Sequence, residues 1–421
     1  MHDRAAMRQY LLITGNYWVF TLTDGALRML VVLHFHQLGY GPLDIALLFL
    51  FYEFFGVVTN LVGGWLGARF GLNRTMNAGL GLQIVALGML LVPPALLTVG
   101  WVMAAQALSG IAKDLNKMSA KSSVKLLLPE HAQGRLYKLV ALLTGSKNAL
   151  KGMGFFLGAA LLAAVGFRGA MLVMILGLAI VWCASLLLLV ADLGRSAGGA
   201  PFHRLFSKSA PINVLSAARM FLFGARDVWF VVALPVHLST AFDWPHMQVG
   251  AFFAAWIIGY GAVQSLAPRV TGGAGRLPDG TTAVRWVALL ALIPAVIALS
   301  PGADTFPGTE VFLGLPVPEL WLLGGLLLFG VVFAINSSLH SYLIVSYADR
   351  DAVSLDVGFY YMANAMGRLL GTVLSGWVYQ VYGLSSCLVL SSGFLITAAA
   401  LSLLLPGVGR RGRIFVNKAT L

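Results

Sequence analysis

Residues 64–74 read GWLGARFGLNR, a glycine-rich stretch that carries Arg69 and Arg74 and no acidic residue. Apolar runs lie on both sides of it, near 43–66 and 75–94, and a membrane-spanning helix needs about 20 such residues. Basic residues in short loops mark the cytoplasmic side of a membrane protein. The stretch is therefore predicted to be a short inner loop between two membrane-spanning helices.

The composition of the whole chain agrees with this interpretation. Of the 421 residues, 59% are hydrophobic and 10% are charged, whereas about a quarter of the residues of a soluble protein are charged. Little of the chain is left for a separate soluble domain. Cys183 and Cys387 both lie in apolar runs and cannot build a disulfide framework or a zinc site. We therefore predict an all-α integral membrane protein that has no cofactor and no metal ion.

Twelve apolar runs, bounded by glycine, proline or charged residues, are the predicted spans. They lie near 14–37, 43–66, 75–94, 99–119, 138–165, 169–191, 212–240, 247–267, 284–301, 318–345, 354–382 and 385–406. With the N-terminus inside, 19 basic residues fall in inner segments and only Arg168 falls outside. This asymmetry predicts a multi-pass cell (inner) membrane protein whose N- and C-termini are both cytoplasmic.

The longest inner connection contains several glycines and basic residues, and it is predicted to link two six-helix halves. The predicted parts are the N-terminal half at 1–191, the cytoplasmic linker at 192–211, the C-terminal half at 212–406 and a basic cytoplasmic tail at 407–421. An offset near 200 residues places VVLHFHQL at 31–38 over VVALPVHL at 231–238. Together with the linker at the midpoint, these traces favour a parallel duplication.

A parallel duplication of six helices is the arrangement of major facilitator superfamily (MFS) transporters, whose substrate site lies near the bilayer midplane. The loop at 64–74 also resembles the MFS inner-loop signature, with Arg69, Gly71 and Arg74 in the positions of its basic and glycine residues. The sequence departs from the signature at Ala68, where the family usually has an acidic residue. The resemblance implies an MFS-type bundle of about twelve transmembrane helices.

We assign twelve charged residues to the spans rather than to the loops or span ends, and a charge at the helix centre costs roughly 2.5–3.5 kcal/mol on insertion scales. The cations are Arg28, Lys113, Lys117, Lys147, Lys151, Arg219, Arg226 and Arg368, and the acids are Asp24, Glu53, Asp114 and Asp227. Five of the cations lie about 13 or 14 residues into their spans, which at about 1.5 Å per residue is near or just past the midplane. Helices of both halves thus bring cations to one level.

The spacing of these cations predicts a lined cavity. Lys113 and Lys117 are four residues apart on one helix face, and Lys147 and Lys151 repeat this spacing with Asn148 beside them. Like charges at this spacing repel each other and weaken a helix. A negative partner is therefore required.

Ion pairs within helices and contact with water can account for part of this charge. Asp24–Arg28 and Asp114–Lys117 have the spacing of ion pairs within a helix, and Arg219 is expected to extend to the cytoplasmic surface. Eight cations against four acids nevertheless leave an excess. This excess predicts an anion-binding cavity.

Arginine offers a planar fork that suits phosphate-like oxyanions, and lysine offers a mobile point charge. Arg28 and Arg226, at corresponding depths in the two halves, resemble the paired arginines of MFS organophosphate transporters. Glu53 is expected to pair with a cation or to exchange protons, and His340 to be a hydrogen-bonded structural group rather than a proton relay. The predicted substrate ligands are Arg28, Lys113, Lys117, Lys147, Asn148, Lys151, Arg226 and Arg368, and the predicted coupling or ion-pair residues are Asp24, Glu53, Asp114 and Asp227.

Five segments resemble the ArsJ-type organoarsenical efflux permeases of the MFS, and the resemblance covers nearly the whole chain. They are NYWVFTLTDGALRMLVVLHFHQLG (16–39), FYEFFGVVTNLVGGWLGARFG (51–71), SGIAKDLNKMSAKSS (109–123), GSKNALKGMG (145–154) and FGARDVWFVVALP (223–235). Members of that family are understood to export 1-arseno-3-phosphoglycerate, which forms when a glyceraldehyde-3-phosphate dehydrogenase uses arsenate in place of phosphate. The resemblance implies arsenate resistance, a small anionic substrate and a functional link to that dehydrogenase. We expect a monomer in the lipid bilayer with no nucleic-acid partner.

Three other functions remain open. An MFS exchanger of phosphate or organophosphate anions would need the same cationic site. A non-transporting membrane sensor would need a sizeable soluble output domain, and the sequence has only short loops and a short basic tail. A membrane enzyme would need a nucleophile or metal set near one interface, and no such set is visible in the sequence.

Overall fold

The computed structural model describes residues 2–39, 48, 50–129, 132–190, 193–196, 209–272, 277–299, 311–312 and 315–406. Its helices are α1 (His2–Gln37), α2 (Leu50–Phe70), α3 (Leu72–Met89), α4 (Val99–Leu126), α5 (Gln133–Leu188), α6 (Ala210–Phe230), α7 (Ala233–Ala241), α8 (His246–Thr271), α9 (Gly280–Ala298), α10 (Val317–Tyr347) and α11 (Val353–Ser402). Short 3₁₀ turns lie at Pro94–Leu96 and Arg350–Ala352, and β1 (Val311–Phe312) pairs antiparallel with β2 (Leu315–Pro316).

The two longest helices each contain a sharp turn at one glycine. In α5 the backbone leaves helical geometry at Gly166 (φ 69°, ψ 177°), and in α11 it does so at Gly383 (φ 77°, ψ −178°). This combination of angles is open essentially only to glycine. When α5 and α11 are divided at these turns and α6 with α7 is taken as one broken span, the described residues form twelve helical spans. The predicted all-helical architecture is confirmed.

Seven stretches of the described helices are long and apolar enough to cross a membrane, as judged by length and composition. The helices α2, α3 and α4 are not among them. Helix α4 is 28 residues long and carries five charged residues, including Lys121 and Lys125. It extends seven residues beyond the predicted span end at 119, so these two lysines belong to the helix rather than to a loop.

The inner-loop stretch that suggested the fold is a turn of one residue. Helix α2 ends at Phe70 and α3 begins at Leu72, so Gly71 alone joins them with a φ of 98° that favours glycine. Ala68 is 1% exposed and packs in an apolar cluster with Leu355. An acidic side chain at this position would be buried among apolar groups, which explains the departure from the family signature.

The chain divides into two compact units. Unit 1 consists of residues 1–208 with 344–365. Within it, α1 and α5 approach so closely that a Cβ added to Gly25 would lie 2.6 Å from the carbonyl oxygen of Lys151, and one added to Gly154 would lie 2.6 Å from that of Leu22. These two glycines therefore allow the backbones of α1 and α5 to pack at close range.

Unit 2 consists of residues 209–343 with 366–421. Its core is aromatic: the Trp229 ring meets Phe329 edge-on at 5.1 Å between centroids, Phe329 stacks on Phe333 at 5.6 Å, and Trp256 stacks on Tyr260 at 5.6 Å. Aromatic rings of this size anchor the packing of α6, α8 and α10.

The predicted division into halves stays a prediction. Of the linker at 192–211, the structure describes 193–196 and 209–211, and the tail at 407–421 lies outside the described residues. Residues 344–365, which the sequence places in the C-terminal half, pack with unit 1. The end of α10 and the start of α11 therefore belong to a different unit from the rest of those helices.

Candidate substrate-binding site

Tyr52 of α2 is the centre of a charged cluster in unit 1. Its buried hydroxyl donates to both carboxylate oxygens of Asp24 on α1, at 2.8 and 3.0 Å. The guanidinium carbon of Arg28 lies 4.0 Å from the ring centroid, and the ammonium nitrogen of Lys113 lies 3.7 Å from it. One aromatic ring thus accommodates two cations through cation–π contact and one acid through its hydroxyl.

Asp114 holds the two lysines of α4 that precede and follow it. Its carboxylate is 2.6 Å from the ammonium of Lys117 and 4.0 Å from that of Lys113, and the acid is 2% exposed. The i,i+3 ion pair predicted from the sequence between Asp114 and Lys117 is therefore present. Because one buried carboxylate faces two ammonium groups, Asp114 and these two lysines together carry a net positive charge.

Lys121 extends this lysine series by one more turn of α4. It is 2% exposed, and its ammonium group donates to the hydroxyl of Tyr361, whose ring centroid is 4.7 Å from the Lys117 nitrogen and 4.9 Å from that of Lys121. Neither Lys121 nor Tyr361 is among the site residues predicted from the sequence. The signal was available for the lysine, because Lys121 continues the four-residue spacing of Lys113 and Lys117.

Lys147, Asn148 and Lys151 lie on the segment of α5 before Gly166 and are all partly buried. The backbone of Lys151 contacts α1 at Gly25. Since Gly25 directly follows Asp24, this contact brings the α5 cations to the level of the cluster around Tyr52. The side chain of the remaining predicted member, Glu53, lies outside the described residues.

Unit 2 contains a second cluster, centred on Asp227 of α6. This carboxylate is 0% exposed and forms ion pairs with the guanidinium of Arg226 and, at 3.1 Å, with Nε of Arg368 on α11. The guanidinium carbon of Arg226 also lies 5.1 Å from the Phe223 ring centroid and 5.4 Å from that of Phe333. Two arginines therefore share one acid in an aromatic setting.

Comparison with known families agrees with this architecture. Residues 13–313 match the family described as Major Facilitator Superfamily. This chain belongs to the major facilitator superfamily. It is therefore a multi-pass secondary transporter of a small molecule rather than an enzyme. The cytoplasmic placement of its termini stays a prediction.

Solved MFS structures share the fold at low sequence identity. The human organic anion transporter MFSD10 (TETRAN) has a TM-score of 0.68 and 16% identity, with 95% of this chain and 99% of that chain covered. The E. coli fucose:proton symporter FucP has a TM-score of 0.69 and 10% identity, with 94% and 98% covered. A bacterial homologue of the iron transporter ferroportin has a TM-score of 0.70 and 13% identity, with 94% and 98% covered. No curated protein matches the sequence significantly.

In each unit of this MFS transporter, the described cations of the cluster outnumber the described acids that lie among them. The unit 1 cations are Arg28, Lys113, Lys117, Lys121, Lys147 and Lys151, set against Asp24 and Asp114. The unit 2 cations are Arg219, Arg226 and Arg368, set against Asp227. Each cluster can therefore stabilise a negative charge, although the ion pairs consume part of the positive charge that the sequence predicts.

The same residues offer little for metal chemistry. Among the described residues, no three histidine, cysteine, aspartate or glutamate side chains come together as metal ligands. Cys183 is exposed on α5, and Cys387 is buried in α11 in the other unit. Oxyanion recognition by arginine and lysine is the chemistry that these clusters support.

The charged groups of the site could be identified from the sequence, but the aromatic residues that order them could not. Tyr52 and Tyr361 each contact two cations, and Phe223 contacts Arg219 and Arg226. Buried aromatic residues are so common in this chain that no sequence signal separates these three from the others.

Proposed function

We propose that this MFS transporter exports a small polyanionic organoarsenical, 1-arseno-3-phosphoglycerate, by alternating access and thereby confers arsenate resistance. The observation that carries the proposal is the excess of cations over acids among the described residues of each of the two charged clusters. Such a surplus is costly in a membrane protein unless an anion compensates it. The proposed function includes a link to a glyceraldehyde-3-phosphate dehydrogenase, which would supply the substrate.

The side-chain chemistry supports an oxyanion as the cargo. Arg226 and Arg368 present guanidinium groups that bind phosphate-type oxygens through paired N–H donors, and the lysines of α4 and α5 add mobile charges. A substrate with a phosphate at one end and an arsenate ester at the other carries such oxygens at both ends. The inside-negative potential favours anion exit by roughly 2.3 kcal/mol per charge per 100 mV.

The cysteine positions support a pentavalent rather than a trivalent arsenical. Trivalent arsenic is a soft centre that needs clustered thiolates. Cys183 and Cys387 lie in different units, one exposed and the other buried. A pentavalent arsenate ester is recognised through its oxygens and needs no thiol.

Arsenate tolerance tests the substrate. Cells that express the transporter should survive arsenate only when a glyceraldehyde-3-phosphate dehydrogenase is co-expressed. Everted vesicles should take up the arsenylated product formed by that enzyme, with and without a pH gradient. Protection that does not depend on the dehydrogenase, with uptake of phosphate or sugar phosphates instead, would replace this proposal by exchange of phosphate or organophosphate anions.

Neutralising single cations tests the site. Arg226→Gln and Lys151→Gln should abolish protection at normal membrane expression, because each removes a charge from one cluster. Lys138→Gln is the matched control, since Lys138 is exposed on α5. Full protection by both site variants would contradict the proposed ligands.

A further inference from the structure

His340 of α10 is buried and has no hydrogen-bond partner among the described residues. It is 0% exposed, and the lack of a partner holds for both Nδ1 and Nε2. The expectation that this histidine is a hydrogen-bonded structural group is therefore wrong. Within the described part of the chain, the buried hydroxyl of Ser338 on the same helix also has no partner. A buried hydrogen-bond donor and acceptor without partners are unfavourable. We therefore expect a different state of the transporter to supply a hydrogen-bond partner for the imidazole of His340.

The charged neighbour of His340 is Arg219 of α6. Arg219 is 3% exposed and donates from its guanidinium to the carbonyl oxygen of Ser337 at 3.2 Å, three residues before His340 on α10. The expectation that Arg219 extends to the cytoplasmic surface is therefore wrong, because the guanidinium is held inside unit 2. The Ser337 side chain is held in turn, because it accepts from Gln264 at 2.9 Å.

Arg219 is connected to the Asp227 cluster through one aromatic ring. The guanidinium carbon of Arg219 lies 3.9 Å from the Phe223 ring centroid, and that of Arg226 lies 5.1 Å from the same centroid. Arg219 and Arg226 are two helical turns apart on α6, roughly 10 Å along the axis. Only the Phe223 ring would therefore separate an anion bound at the Asp227 cluster from Arg219, the neighbour of His340.

Other titratable groups lie near this position. Arg219 approaches from α6, and Tyr260 on α8 accepts a hydrogen bond from Gln264, which also donates to Ser337. Arg226 and Asp227 lie about two turns further along α6. The described residues give His340 no ion pair. A protonated ring would add a second positive charge beside Arg219 in a site shielded from water, which is unfavourable until a negative charge arrives.

We propose that His340 takes up one proton when a phosphate-type oxyanion binds beside Arg219, so that anion and proton bind together. The proton comes from water and goes to the ring nitrogen that has no hydrogen, and the resulting imidazolium donates N–H groups to the anion. The inference rests on the anion-binding site of the proposed function, but it does not depend on arsenic. It makes anion affinity rise as the pH falls.

Calorimetry of the purified full-length transporter tests this inference, with 3-phosphoglycerate as the probe. Titrations in buffers of different ionisation enthalpy give the number of protons taken up per anion bound. The wild type should take up as much as one proton per anion, after correction for the probe's own titration, and His340→Gln should lose this uptake. His237→Gln is the matched control, because His237 is a partly buried unit 2 histidine whose ring contacts Phe242 and Tyr379.

His340→Asn serves as a second variant in case the glutamine variant does not fold. No proton uptake by the wild type, or equal uptake by the wild type and a folded His340 variant, would overturn the inference. If the cells are protected from arsenate but proton uptake does not depend on His340, the inference about His340 is wrong and the proposed export stands. If proton uptake depends on His340 but protection needs no dehydrogenase, the inference about His340 stands and only the organoarsenical substrate is wrong.

Discussion

Replacing Asp227 with asparagine should leave two arginines of unit 2 without their shared counter-charge. The carboxylate is fully buried and pairs with Arg226 and Arg368. Asparagine keeps the size of the side chain and removes only the charge. The variant therefore isolates the electrostatic contribution of this cluster to stability.

The burial of these side chains determines how much stability the variant should lose. Removing one partner of a buried ion pair costs about 3–5 kcal/mol. Arg226 is 14% exposed and should contribute fully, whereas Arg368 is 36% exposed and its share is reduced by solvent screening. We therefore expect the free energy of unfolding to fall by about 3–4 kcal/mol in buffer without phosphate-type anions.

Thermal unfolding of the detergent-purified transporter measures this loss. Phosphate should stabilise Asp227→Asn more than the wild type, because the anion replaces the missing carboxylate and binds only the folded state. The double variant Asp227→Asn/Arg226→Gln should recover much of the stability, since charge balance returns. Asp351→Asn, at an exposed acid, is the control. Wild-type stability in Asp227→Asn, or a double variant less stable than the single one, would refute the reasoning.

Three further changes test other contacts. Tyr52→Phe should keep both cation–π contacts but lose a hydrogen bond to a carboxylate, which lowers stability by about 1.5–3 kcal/mol and is measured by thermal unfolding. Gly158→Ala should lower stability by about 1–3 kcal/mol, because the new methyl group would meet an α1 carbonyl, whereas Gly177→Ala, with open space around it, should be neutral or slightly stabilising. Lys125→Gln should lower stability by about 1–2 kcal/mol, since the lysine donates to three carbonyls where α10 ends, and exposed Lys138→Gln should have no effect.

Much of this fold follows from one-dimensional patterns. Apolar runs predict the spans, and the i,i+3 pair of Asp114 and Lys117 lies within one helix, so both can be derived without knowing how helices pack. Gly71 and Gly166 are also visible in the sequence, but their positive φ values are not. A glycine at a span end indicates a turn, and only the backbone shows that one residue completes it.

The site was less predictable because its partners come from different helices. In the segment FYEFFG, the sequence indicates Glu53 as the functional residue because it carries the charge. In the structure it is the neighbouring Tyr52 that donates to Asp24 on α1 and contacts Lys113 on α4. Which side of α2 faces these helices is decided by packing, not by local sequence. The same limit explains Arg219, whose burial depends on α10 lying against it.

The turn at Gly166 also bears on how α5 moves. Because one residue joins two helical segments within α5, neither segment has slack with which to slide against the other. The two segments should therefore move together. A shift at Lys151, where an anion would bind, should displace the segment after Gly166 as well, whereas a longer loop would absorb part of it.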